Sequence, residues 1–343
     1  MSPRAKHGRS ITSRDVAERA GVSLMTVSRT LRTPDLVSPL TRKKVEQAAS
    51  DLNYVPDLAA GALSSKRSGH VAVLLPSLRH SGFLRTVDGL SDTLRSQGYH
   101  LLIGDCYYSP KEQTELLRLM LGRRPEAIVL VSSMNSPEAQ MLLDRSGIPV
   151  VETWDWPGSP KNMVVGFSQF EAGYSLSRSL IDRGYTRIGF LAGPAHSDPY
   201  AEQRRKGHIA ALQSADLPSN IHVVVSDTPM EIQDGVNGVA TLRSQFPDTD
   251  ALVCATDLTA LGALNECQRR GWQVPEALAI AGYGNFEFAP YLSPSLTSVK
   301  LPSYRMGKQA AELVMAQVQH GLRPSNPIRN LGFDIIHRQS TQS

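Results

Sequence analysis

Five cations stand close together near the start of the chain: Arg14, Arg29, Arg42, Lys43 and Lys44. Arg29 carries a planar fork of donors that fits the edge of a guanine or a phosphate. The other four suit phosphate contacts, which position a duplex without specifying its sequence. Residues 1–68 hold 12 Lys+Arg against 6 Asp+Glu, and the rest of the chain holds 24 against 26. The formal net charge of +4 is therefore carried by the first fifth of the chain. Such an asymmetry suits phosphate neutralisation by one end and a different task for the remainder. A basic tail that only aids solubility is the plainer alternative.

Other chemistries find little support. There is no phosphate loop of the G-x-x-x-x-G-K-[ST] kind, no G-x-S-x-G elbow and no cluster of metal ligands. Cys106, Cys254 and Cys267 lie too far apart for a zinc site or a redox pair, so neither metal nor cofactor is expected. His196 and Asp198 share a Gly/Pro-containing loop, a setting in which such a pair is more often structural than catalytic. The opening MSPRAKHGRS is basic and polar, unlike a signal peptide, and no segment reaches about 18 uninterrupted apolar residues. A cytoplasmic protein without a membrane span or an enzymatic activity is expected.

The elements that must position the cations read as three short helices. Thr12 and Asp15 have capping-box spacing, and Gly21 breaks the first helix. Ser23 caps a second helix from Leu24 to Leu31. Ser38 and Pro39 open a third that runs to about Asn53. Val16, Ala20, Val22, Val27, Leu31, Val45, Ala49 and Leu52 supply a small core. This is the pattern of a helix-turn-helix DNA reader. Asp57 can cap one further turn, Leu58 to Leu63, too short to be stable alone. That segment is either a plain linker or one that folds on meeting a partner.

From His70 onward strands and helices alternate in two successive series, then a helix (Tyr304 to Val318) and a terminal strand near Arg329 to Ile336 follow. Alternation predicts parallel sheets flanked by helices, and two series predict two similar lobes. Ligands of open parallel sheets sit beyond the carboxyl ends of the strands. Ser77, Trp154, Asp257 and Asn285 follow strands and are candidates on that ground. Asp257 is equally placed to be a simple helix cap. Trp154 and Trp156 either wall a pocket or belong to a surface loop.

Several runs together give the chain a resemblance to the lactose/galactose-repressor family of bacterial transcription regulators. They are DVAERAGVSLMTVSRTL, VSPLTRKKVEQAASDLNYVP, AAGALSSKRSG, GYHLLIGD, GIPVV, RGYTRIGFLAGP, CATDLTALGALNECQRRGWQVPEALAIAGY and PSLTSV. Through VVETWDWPGSPKNMVVGFSQFEAG and LGFDIIHR it is most similar to the gluconate-utilisation repressors. The resemblance implies an all-α helix-turn-helix domain with a hinge helix, followed by a two-lobed α/β core like that of periplasmic binding proteins. It implies a basic tail at 1–9, a reader at 10–56, a hinge and linker at 57–69 and a core at 70–343. Within the core, lobe 1 would span about 70–167 plus 301–329, and lobe 2 about 168–300 plus 330–340.

The same resemblance puts the second helix in the major groove, with Ser23, Leu24, Met25, Thr26, Ser28 and Arg29 at the bases, and Thr12, Arg14, Asn53 and Tyr54 in support. Leu24 and Met25 have no polar head, where relatives often do; they can touch a thymine methyl but cannot hydrogen-bond a base. Packing of Leu24 on the core is the alternative. Leu63 of the hinge would wedge into the minor groove, which implies a homodimer on a roughly palindromic double-stranded operator. In the core, the resemblance implies that an arginine three residues before a glycine clamps the effector: Arg204 in EQRRKGH, with Arg205 as its rival. Phe167 joins Ser77, Trp154, Asp257 and Asn285 around it. Trp154 and Gly284 stand where relatives often carry aspartate, so acids that would repel an anion are missing there. The expected effector is a small sugar acid, gluconate or a close relative.

Overall fold

The structure is a computed structural model that describes residues 11–55, 68–79, 81–131, 136–156, 160–194, 198–225 and 230–342. The basic tail, nearly all of the expected hinge including Leu63, and His196 lie outside the described residues. Two compact units are present, Met1–Ser68 and Gly69–Ser343.

In the first unit, α1 (Ser13–Ala20), α2 (Leu24–Arg32) and α3 (Pro39–Asp51) enclose Val16, Ala17, Val27, Val45 and Ala48. The Thr12 backbone N–H and hydroxyl both donate to Asp15 at 2.7 Å, which fixes the start of α1. Gly21 ends α1 in the left-handed region at φ +65, where a side chain would be strained. Leu31, expected in the core, is 37% exposed. The buried stripe of α2 runs through Val27 and Thr30, whose hydroxyl bonds back to the Thr26 carbonyl, and leaves Leu31 on its solvent edge.

Among the described residues the second unit holds two six-stranded sheets. The first combines β1 (His70–Leu75), β2 (His100–Asp105), β3 (Ala127–Leu130), β4 (Val150–Thr153), β5 (Met163–Gly166) and β11 (Ile328–Asn330), in the order β11-β5-β4-β3-β1-β2, all parallel. The second combines β6 (Ile188–Ala192), β7 (His222–Val224), β8 (Ala251–Cys254), β9 (Ala279–Gly284), β10 (Thr297–Lys300) and β12 (Asp334–Ile336), in the order β12-β10-β9-β8-β6-β7. Only β12 runs antiparallel, against β10. Helices α4 (Ser81–Arg95), α5 (Pro110–Leu121), α6 (Pro137–Ser146), α7 (Gln169–Ile181), α8 (Pro199–Gln213), α9 (Ile232–Gln245), α10 (Asp257–Arg269) and α11 (Ser303–His320) complete the unit. They pack as α4 on α11, α7 on α8 and α9 on α10.

The single terminal strand expected near Arg329 to Ile336 is two strands in two sheets. Gly332 turns at φ +62 between them and redirects the chain. The chain thus passes between the halves at three places: from β5 to α7, from β10 to α11, which packs on α4 and the first sheet, and from β11 to β12. The first and third passages are side by side. Leu331 N–H bonds the Gly166 carbonyl at 2.9 Å, and the Phe167 and Phe333 rings meet at 6.3 Å.

Candidate DNA-reading surface and ligand cavity

On α2 the Ser23 hydroxyl accepts from the Thr26 backbone N–H at 3.1 Å, so the cap is satisfied locally and the first turn is free to face outward. Leu24 is 44% and Met25 69% exposed, which rules out packing of Leu24 on the core. Arg29, one turn on, is also exposed and its guanidinium lies 4.0 Å from Met25 Sδ. Thr26 and Ser28 are half-buried, and Thr26 shares a hydrogen bond with Ser23. Arg14, Lys43 and Lys44 are exposed, whereas Arg42 is paired with Glu46 at 2.7 Å. Asn53 sits exposed at φ +49 after α3, and Tyr54 packs against the small core.

In the second unit a cavity of about 360 Å³ opens where the carboxyl ends of strands from both sheets converge. Ser77 and Arg79 follow β1, Tyr108 follows β2 and Trp154 follows β4. Asp198, Tyr200 and Arg204 begin α8 after β6; Met230 to Gln233 begin α9; Thr256 and Leu258 begin α10; Tyr283 ends β9. The first turns of α8, α9 and α10, N-capped by Asp198, Glu231 and Thr256, therefore all line it and turn the positive ends of their dipoles towards it.

Arg204 is 5% exposed. Its guanidinium lies 4.0 Å over the Tyr283 ring and donates from Nη1 to Gln169 Oε1 (2.8 Å) and from Nη2 to the Ala255 carbonyl (3.2 Å). Asp198 caps α8 through the Tyr200 and Ala201 N–H groups, and its other oxygen is 3.6 Å from Arg204 Nη2. Tyr283 donates to Gln169 Oε1 at 2.6 Å, and Gln169 Nε2 donates to the Trp154 carbonyl at 2.9 Å. Burial, reinforced by the Asp198 charge, pushes the Tyr108 phenol well above its ordinary range, so it stays neutral. Trp154 is held at φ +73, T-shaped against Phe83 at 4.7 Å, with its indole N–H on Thr86 Oγ1 at 2.9 Å. Arg79 and Glu231 pair across the mouth at 3.3 Å.

A family profile described as bacterial regulatory proteins, lacI family, matches residues 12–57, and one described as a periplasmic binding protein-like domain matches 178–341. The HTH-type transcriptional regulator GntR of Escherichia coli (strain K12) is 33% identical over 322 residues, covering 94% of this chain and 96% of its own. The chain belongs to the lacI family of bacterial regulatory proteins. Among solved structures, a lacI-family transcriptional regulator from Silicibacter pomeroyi is 30% identical, with a TM-score of 0.91 over 97% of this chain and 100% of that one. The transcription regulator GntR from Chromobacterium violaceum is 34% identical, with a TM-score of 0.76 over 79% of this chain and 99% of that one. As a lacI-family member the chain is a DNA-binding transcriptional repressor and not an enzyme.

Several expected cavity residues of this lacI-family chain sit elsewhere. Arg204 and Arg205 separate cleanly: Arg205 forks onto Glu202 of its own helix with both bonds at 2.7 Å and does not line the cavity. Asp257 is fully buried and turned away from the cavity. Its oxygens accept from Ser298 Oγ and the Phe286 N–H, each at 2.6 Å, so it ties β9 and β10 together. Burial raises its pKa to about 6, against the pull of the Ser298 hydrogen bond. Asn285 accepts from Arg338 at 2.7 Å and lines a separate depression with Phe288 and Tyr304. Phe167 is fully buried behind Trp154, ring to ring at 6.3 Å, and Trp156 does not line the cavity.

The lack of acids at Trp154 and Gly284 does not leave the cavity without carboxylates. Gly284 borders the depression with Asn285, while Asp198 and Glu231 do line the cavity. Both are helix N-caps, positions that favour carboxylates whatever the ligand. Gln169, which joins Trp154 to Arg204 and Tyr283, escaped the sequence reading; its only signal is its place directly after the cap Ser168. Among the described residues no group of His, Cys, Asp or Glu could hold a metal, and no helix is long and apolar enough to cross a membrane.

Proposed function

We propose that the chain acts as a homodimer on a roughly palindromic operator and releases it on binding a small sugar acid, gluconate or a close relative. In this reading residues 10–56 read DNA, 57–69 form the hinge, and the cavity of the core takes the effector. The observation that carries the ligand class is Arg204, buried on Tyr283 where three helix N-termini converge. A carboxylate there meets a guanidinium and the positive ends of helices together. Asp198, Ser77, Tyr108 and Gln233 offer acceptors and donors suited to a chain of hydroxyls. Relatives named GntR at 33% identity and the resemblance to gluconate-utilisation repressors favour the same class.

Calorimetry with aldonic acids and neutral sugars tests it. Gluconate or a related acid is expected to bind, and glucose at least about tenfold more weakly, a gap of about 1.4 kcal/mol. Arg204→Ala is expected to erase acid binding while operator binding persists. Tight binding of a neutral sugar or a purine, or unchanged acid binding in the variant, overturns the ligand class. On the DNA side Arg29→Ala is expected to cost about 1–3 kcal/mol at the operator and to relax base preference; a smaller loss with unchanged preference makes Arg29 a backbone contact.

A further inference from the structure

Beside the ligand cavity, and parted from it by Arg79 and Leu258, which line both, is a depression of about 790 Å³. One of its walls is the segment that carries the chain from β10 to α11. Four cations line it, Arg79, Arg85, Lys300 and Arg305, against one carboxylate, Glu287. Lys300 and Arg305 are exposed and in no ion pair among the described residues. Arg79 and Arg85 hold long, exposed pairs with Glu231 at 3.3 Å and Asp88 at 3.5 Å, which contribute little in water, so both side chains turn at small cost. Between the cations Phe288 and Tyr304 offer aromatic surface, with the Arg85 guanidinium 5.8 Å from the Tyr304 ring centre. An excess of three positive charges is more than one carboxylate balances. A phosphate monoester brings nearly two negative charges at about pH 7 and three strong acceptor oxygens, which guanidinium forks match. The aromatic wall suits the ring to which such a phosphate is attached.

We propose that this depression is a second small-molecule site, for a phosphate monoester. The phosphate sits on Arg85, Lys300 and Arg305, and its ring on Phe288 and Tyr304. Arg79 turns from Glu231 to the phosphate when the site fills. The Glu231 carboxylate is then left uncompensated at the mouth of the neighbouring cavity. The ester therefore weakens binding of a sugar acid there, and the acid weakens binding of the ester by the same factor. This coupling, unlike the site itself, rests on the sugar acid being the effector.

Calorimetry on the full chain tests it, with AMP and glucose 6-phosphate as probes and inorganic phosphate, adenosine and glucose for comparison. At least one ester is expected to bind, about tenfold or more tighter than inorganic phosphate, and the preferred ester tells a base from a sugar on the aromatic wall. Lys300→Ala combined with Arg305→Ala, both exposed and outside the effector cavity, is expected to cost the ester about tenfold or more and to leave gluconate binding as it was. Arg204→Ala is expected to keep ester binding. With the ester saturating, the gluconate Kd is expected to rise about fivefold, and the rise to vanish in Glu231→Gln. Neither ester bound at millimolar concentration, esters no tighter than inorganic phosphate, unchanged affinity in the double variant, or ester binding lost in Arg204→Ala overturns the site. An ester that binds but leaves the gluconate Kd unmoved overturns the coupling through Arg79. Gluconate that fails to bind overturns the effector reading alone, because the ester titration is read without it.

Discussion

His208 and Asp257 are both shut away from water, and burial moves them in opposite directions along the pH scale. His208, on α8, shares a 2.8 Å hydrogen bond with Ser177 Oγ and faces His222 and Arg205. Burial, helped by repulsion from the His222 ring when that is protonated, lowers its pKa from 6.5 to about 3. The unfolded chain takes up this proton near pH 6.5 and the folded chain does not. The contribution of His208 is therefore complete above pH 6.5 and falls by about 1.4 kcal/mol per pH unit below it, down to about 3. Asp257 is raised from 3.8 to about 6, so the folded chain binds its proton first, and its contribution grows as the pH drops through that interval. Between pH 6 and 4 the two slopes offset. Urea midpoints at pH 7, 5.5 and 4.5 are expected to fall steeply with acid in Asp257→Asn and to hold or rise in His208→Gln. Parallel profiles for the two variants would contradict the assignment.

At the scale of elements, Arg204 reaches the cavity because α7 and α8 touch backbone to backbone. A Cβ on Gly173 would stand 2.1 Å from the Arg204 carbonyl, and one on Gly207 2.0 Å from that of Phe170. Gly173→Ala forces the helices apart, with an expected cost of about 1–3 kcal/mol. Arg204 moves with α8, so acid affinity is expected to drop alongside the urea midpoint. A lowered midpoint with unchanged affinity would separate the helix contact from the site. This contact was invisible in the sequence, where Gly173 and Gly207 look like any helix glycine. Caps, by contrast, were legible: Thr12, Ser23 and Ser38 act within three residues of themselves. So was the strand–helix alternation, and with it the fold class. Strands β5 and β10 were missed because each follows the preceding strand with no α-helix between, outside the alternation that marked the others. Arg204 was legible only through resemblance. Asp198 already stood near the expected cleft, whereas Gln169 was not legible as the partner of Arg204 and Tyr283, since what brings the three together is the meeting of elements distant in sequence.

At the scale of the whole molecule, the basic unit and the Gly69–Ser343 unit each hold a core of their own. Removal of residues 1–68 is expected to abolish operator binding in a gel shift and to leave acid binding in calorimetry unchanged. A specific shift by the remaining fragment would place the DNA reader elsewhere. Within the larger unit, the three passages between the halves have a mechanical consequence. A single connection would act as a swivel, free to turn about any axis. Two of these three are laced to each other through Leu331, Gly166 and their phenylalanines. They work like the leather straps on a box lid: folding across the row is easy, and twisting or sliding along it strains every strap at once. One degree of freedom is left cheap, and it is the one that opens and shuts the mouth spanned by Arg79 and Glu231.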